Sequence, residues 1–157
     1  QLGKGYAAQQ NWAKANAYYR KAVRMSPDYE AYHRALAESA FALEDYPAAE
    51  KACRKALSLA PDDQQNWLNL AWFLMEMKRA DEALELLEDA DENSLREGEL
   101  NYSYCACLFA NGKRQEGLRY LSGLLDESYE GYNWLFEWQP LLRSDNEVNA
   151  LLSLYKQ

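Results

Sequence analysis

Polar and apolar positions in this chain repeat at two scales. On the short scale, apolar residues recur at i, i+3, i+4 and i+7, which places them on one face of a helix. Leu36, Ala37, Ala40 and Leu43 form one such stripe, and Leu70, Ala71 and Leu74 begin the next. On the long scale, positions 34 residues apart keep their character. Ala15, Ala49, Ala83 and Gly117 form one column; Ala22, Ala56, Ala90 and Leu124 another; Leu2, Leu36, Leu70 and Tyr104 a third; Gly3, Ala37, Ala71 and Cys105 a fourth. Small residues in such columns mark the points where two helices cross most closely, since a larger side chain would push the backbones apart. Pro27 and Pro61 share a column that Leu95 and Tyr129 continue. Ser26-Pro27-Asp28 and Ala60-Pro61-Asp62-Asp63 end one helix and begin another, because proline cannot continue a helix and aspartate caps the next. Asn111-Gly112 supplies a further turn. A fixed period of this size predicts stacked helix pairs, none of which can bury its apolar face alone.

The residues fill a recognisable template. Residues 64–97 carry Trp67, Leu70, Ala71, Leu74, Ala83, Leu87 and Ala90, and residues 30–63 carry His33, Leu36, Ala37, Ala40, Ala49, Cys53, Ala56 and Pro61. A more divergent set, Asn101, Tyr104, Cys105, Leu108, Gly112, Gly117, Leu121 and Leu124, spans 98–131, and Leu2, Gly3, Tyr6, Ala15, Tyr19, Ala22 and Pro27 make a partial one over 1–29. The pattern resembles the tetratricopeptide repeat of bacterial type, W-x2-L-G-x2-Y then A-x3-F then Pro. The resemblance covers residues 1–131 without an insertion. It implies an all-α fold, a right-handed α-solenoid of antiparallel helix pairs with about three and a half repeats. Gln1-Leu2-Gly3 falls mid-helix in this register and there is no initiator Met. The sequence therefore reads as a fragment of a longer protein with more repeats upstream.

After Gly131 the period is lost. Tyr132, Trp134, Leu135, Phe136 and Trp138 predict a very aromatic helix that Pro140 ends or bends. Ser144-Asp145 reads as an N-cap for a last helix whose apolar stripe is Val148, Leu151, Leu152 and Tyr155. Residues 132–157 are expected to be capping helices over the last apolar face, since terminal repeats must be solvated. Docking of a partner on Trp134 or Trp138 is the alternative.

Composition and charge narrow the function. Hydrophobic residues make up 48% of the chain, ample for a core, and no stretch approaches a membrane span or a signal peptide. Cys53, Cys105 and Cys107 sit in or beside packing columns and are expected to be free thiols in a reducing compartment, which points to the cytoplasm. No metal site is expected, because His33 is the one histidine and lies far from them in the repeat order. No cofactor is expected either: Gly3-Lys4-Gly5 lies inside a helix and is no phosphate loop. The net charge is −8, yet residues 1–27 hold Lys4, Lys14, Arg20, Lys21 and Arg24 with no acidic residue, so the remainder carries −13. The densest acidic stretch, Glu76 to Glu99, reads either as a solvated outer helix face or as a face that steers a basic partner. Nucleic acid is disfavoured, since phosphates need a basic face.

In the resembled family the first helix of each repeat lines a concave groove. That register places Arg34, Ala35, Glu38 and Phe41 there from one repeat, Gln65, Leu68, Asn69, Trp72 and Met75 from the next, and Glu99, Tyr102, Ser103, Ala106 and Phe109 from the third. Aromatic side chains with polar neighbours give a peptide large contact area at low entropy cost, and methionine adds adaptability. The expected site is therefore Arg34, Glu38, Phe41, Leu68, Asn69, Trp72, Met75, Tyr102, Ser103 and Phe109, binding an extended peptide or an amphipathic helix. A family mode that clamps a C-terminal carboxylate is excluded. Arg34 and Asn69 fit it, but Glu38 and Glu99 would repel the ligand and Ser103 replaces a needed Arg. The predicted function is a non-catalytic scaffold for a peptide or protein partner. The alternative is a structural or self-association module of a larger protein, including a homodimer. Catalysis is not expected, since no nucleophile shares the register of His33.

Overall fold

The computed structural model describes residues 5–92 and 97–156. Leu2, Gly3 and Leu95 of the repeat columns, and Lys4 of the basic segment, lie outside the described residues. The described chain is all helix and turn: α1 (Gly5–Met25), α2 (Glu30–Ala42), α3 (Tyr46–Leu59), α4 (Gln64–Glu76), α5 (Ala80–Glu92), α6 (Glu99–Ala110), α7 (Arg114–Ser128), α8 (Tyr132–Trp138) and α9 (Asn146–Tyr155). Short 3-10 turns at Tyr129–Gly131 and Pro140–Ser144 flank α8.

The 34-residue step is written into the backbone. Helices α2, α4 and α6 end at Ala42, Glu76 and Ala110, and α3, α5 and α7 begin at Tyr46, Ala80 and Arg114. Each first helix closes with a left-handed residue, Glu44 (φ 61°), Lys78 (φ 62°) and Gly112 (φ 74°). The hydrogen bonds there are the same three times over. Glu44 N donates to Phe41 O and Asp45 N to Ala40 O; Lys78 N to Met75 O and Arg79 N to Leu74 O; Gly112 N to Phe109 O and Lys113 N to Leu108 O. Bonds spanning three and five residues around an αL residue are a Schellman motif, which satisfies carbonyls the helix end would orphan. By the same step a turn would fall at Gln10, but α1 runs through it unbroken. Gln9-Gln10-Asn11 contains neither Gly nor Pro, and glutamine favours the helix interior. From Gly5 to Met25 the partial first repeat is thus one continuous helix.

The chain divides into two compact units, residues 1–73 and 74–157, with the boundary inside α4. In the first, α2 packs on both α1 and α3. Its core is built largely of alanine: Ala22, Ala37, Ala40, Ala49, Ala52 and Ala56 are buried, with Cys53 and Leu70. Small side chains let these helices approach closely. The buried Asn16 donates from Nδ2 to Ser39 Oγ (3.2 Å), whose hydroxyl donates to Leu36 O (3.0 Å), so neither polar group is stranded.

In the second unit α6 is central, packing on α5, α7 and α8, while α9 packs on α7. Leu87, Leu100, Cys105, Leu121, Leu135 and Val148 are fully buried. Each such leucine contributes roughly 1.5–3 kcal/mol through burial. Asp145 caps α9 as the sequence indicates, its Oδ1 accepting from Glu147 N (3.0 Å) and Val148 N (3.0 Å). Among the described residues no helix is long and apolar enough to cross a membrane.

Candidate functional site

The predicted groove residues fall on both units, and each set has its own surroundings. In the first unit, α2 and the start of α4 lie side by side. The rings of Phe41 and Phe73 stack 4.2 Å apart at 6°, and Arg34 pairs with Asp63 at 2.6 Å. Arg34 also pairs with Glu30 on its own helix at 2.6 Å. The Arg34 guanidinium, with help from Gln65 N, holds the Asp63 carboxyl below the usual carboxylate range. Arg34 is therefore committed to two carboxylates. Asn69 Oδ1 accepts from Gln65 Nε2 (2.8 Å), which occupies one end of its amide. Glu38 is exposed, Phe41, Asn69 and Trp72 are partly exposed, and Leu68 is buried. Phe41, Asn69 and Trp72 are thus half-buried, and Glu38 is exposed, on two helices that meet through the Phe41–Phe73 stack.

In the second unit the picture is corrected. Tyr102 is only 2% exposed. Its hydroxyl donates to Ser128 O (2.5 Å), its ring lies 6.1 Å from that of Trp134, and burial pushes its phenol up to about 12. Ser103 is fully buried and donates to Leu100 O (2.8 Å). Neither presents a surface, and Tyr102 is covered by the segment from Ser128 to Trp134, which folds back onto α6. Gly131 sits so near that an added Cβ would lie 2.2 Å from Tyr102 Cε2. Trp138, also buried, donates from Nε1 to Glu99 (3.0 Å). Met75 is partly exposed, with its sulfur 3.8 Å from Cys107 Sγ, and Phe109 is partly exposed against Gly117 and under Arg114. Leu68, Tyr102 and Ser103 are thus removed from the surface the sequence assigned them, by burial that a 34-residue register cannot show.

The groups able to carry chemistry are engaged structurally. His33 Nε2 lies 2.7 Å from Pro27 O. A carbonyl only accepts, so Nε2 carries the proton. Trp67, one repeat on, donates from Nε1 to Pro61 O at 2.8 Å, which shows His33 standing in for the template's Trp. Cys53, Cys105 and Cys107 are buried free thiols whose pKa burial raises to about 12, so they are poor nucleophiles at neutral pH. Among the described residues no group of His, Cys, Asp and Glu is arranged to hold a metal ion.

A surface outside the predicted set is a cavity of about 740 Å3 between α1 and α3. Val23, Leu36, Ala48 and Ala52 form its apolar lining, and Arg20, Arg24, Lys51, Arg54 and Lys55 surround it. The all-basic charge of residues 1–27 was the sequence signal for it. The family register pointed elsewhere, since it assigns ligands to the first helices of the repeats.

Comparison with known proteins fits this geometry. Two family models described as tetratricopeptide repeat match, one over residues 1–64 and the other over residues 40–95. No curated protein sequence matches significantly. Among solved structures the chain is similar to YrrB, described as a TPR protein with an unusual peptide-binding site. The TM-score is 0.64 at 16% identity, over 95% of this chain and 78% of that one, a likeness of fold. With repeat models spanning residues 1–95 and helix ends that recur every 34 residues to Ala110, the chain belongs to the tetratricopeptide repeat family.

Proposed function

We propose that this chain is a non-catalytic interaction scaffold that holds a peptide or protein segment on the α2–α4 face of its first unit. The observation that carries the reading is the set Glu38, Phe41, Asn69 and Trp72 on neighbouring helices. Two large aromatic side chains there remain partly exposed beside an outward carboxylate. Apolar surface left wet costs about 25 cal/mol per Å2, so covering these rings is worth energy to a ligand. Glu38 makes no ion pair among the described residues, and it sets the chemistry: the ligand presents Lys or Arg toward it and an apolar side chain toward Trp72. The peptide-binding site described for YrrB supports the class of ligand. The repeats over 1–131 supply the surface, and residues 132–157 serve as a cap that covers α6 and α7.

Selection from a displayed library of random peptides tests the assignment. The wild-type protein should enrich sequences that pair a basic residue with a large apolar one. The Glu38→Lys variant should lose the basic preference while keeping the apolar one. Enrichment of the same sequences by both proteins contradicts the assignment.

A further inference from the structure

The cavity between α1 and α3 shares no side chain with the α2–α4 face, and its chemistry is opposite. Arg20, Val23, Arg24 and Pro27 line it from the α1 side at i, i+3, i+4 and i+7, and Ala48, Lys51, Ala52 and Lys55 line it from α3 at the same spacing. Each side therefore presents one continuous strip in which cations flank small or branched apolar residues. No carboxylate among the described residues lines the cavity. Arg20 is drawn to Asp45 at 3.3 Å and Arg54 to Glu50 at 2.9 Å. Arg24, Lys51 and Lys55 make no ion pair among the described residues. The repeat columns show that this concentration is local: Arg20 and Arg54 are followed at the next step by Glu88, Lys55 by Asp89, and Lys51 by Glu85. Cations are thus gathered at one groove of a chain whose net charge is −8.

We infer that this groove docks an acidic amphipathic helix of a partner protein, its carboxylates on the Arg24–Lys51–Lys55 rim and its apolar side chains against Val23, Leu36 and Ala52. A space bounded by two helices, with an apolar floor and a cationic rim, suits an amphipathic helix laid in a groove. Phosphate-bearing partners match the rim but leave the apolar floor wet. A second copy of this chain is a poorer occupant. Its acidic helix α5 has Ala83, Leu84, Leu87 and Ala90 buried within its own unit, so it offers carboxylates with little to fill the floor.

Fluorescence anisotropy with a labelled peptide tests the proposal. The probe is a helical peptide of about 15 residues, four turns, with Leu at i, i+3 and i+4 spacing and Glu elsewhere. Wild-type protein should bind it, and binding should weaken with added salt as exposed charges are screened. The Lys51→Glu/Lys55→Glu double variant should weaken it by at least about tenfold, the scale expected for reversed charge pairs. A peptide with Ser in place of Leu should lose a comparable factor. Circular dichroism checks that the variant keeps its helices, and Arg24→Glu on α1 replaces it if it does not. Absence of binding to wild type overturns the proposal, as does equal affinity for the double variant or for a polyglutamate of equal charge. Displacement of the probe by a single-stranded oligonucleotide, or a wild-type dimer in light scattering that Lys51→Glu dissolves, assigns the groove to another occupant.

Discussion

His33 and Trp67 share almost nothing chemically, yet both donate a ring N–H to the carbonyl of the proline six residues earlier. That bond ties each first helix to the turn that introduces it, and it explains how a histidine fits a tryptophan position. The glycines separate in the same way by what surrounds them. Gly131 lies against the Tyr102 ring, and an added Cβ would sit 2.2 Å from it, whereas Gly123, within α7, has nothing within 4 Å of that position. Gly131→Ala should therefore destabilise the protein by about 1–3 kcal/mol through overpacking. Gly123→Ala should stabilise it by about 0.5–1 kcal/mol, since a helix interior favours alanine. Urea denaturation of the two variants checks the pair. Equal effects would mean that the Tyr102–Gly131 contact does not constrain the fold.

At the scale of elements, the turn inside each repeat demands a left-handed residue, and only the third has a glycine for it. Glu44 and Lys78 adopt that conformation with exposed side chains, which costs a non-glycine residue about 1 kcal/mol or more. Lys78→Gly should raise stability by about 0.5–1 kcal/mol, read as a higher urea midpoint with unchanged slope. A lower midpoint would contradict the Schellman geometry. The last helix is secured differently. Arg114 of α7 bonds both Asp145 oxygens, at 2.7 and 2.8 Å, and pairs with Glu147 at 2.8 Å. Its guanidinium, with the backbone N–H groups Asp145 caps, lowers the Asp145 carboxyl from 3.8 to about 2. The folded value lies below the ordinary one, so the stabilisation is present above about pH 4 and is lost as pH falls toward 2. Asp145→Asn keeps a capping residue and loses the charge. Its stability deficit relative to wild type should be present at pH 7 and close between about pH 4 and pH 2. Asp145→Ala should lie about 1 kcal/mol below Asp145→Asn at pH 7, the worth of the cap. A deficit that persists unchanged at low pH would show that the charge is not the cause.

Across the whole molecule, what repeats was legible in the sequence. Small columns such as Ala37, Ala71 and Cys105 are buried, and Ser144-Asp145 announces α9 through local capping chemistry. What breaks the repeat was less so. No periodic rule places Gly131 and Trp134 on Tyr102, or buries Leu68 and Ser103, so three predicted groove residues are core. The helix through Gln10 ignores a turn that the register would allow. The cationic groove was half visible, in the missing carboxylates of residues 1–27, but its other side comes from α3, and only the fold brings the two together. Of the predicted site, Met75 and Phe109 stay partly exposed in the second unit, and Glu38, Phe41, Asn69 and Trp72 keep exposed surface in the first; the central claim is that the first-unit set holds a peptide. Isothermal titration of a library-selected peptide against wild type and Trp72→Ala tests it most directly. Removing a central aromatic contact should weaken binding by at least about tenfold, or about 1.4 kcal/mol, with the helical circular dichroism spectrum unchanged. Equal affinity for the two proteins, with both folded, would contradict it.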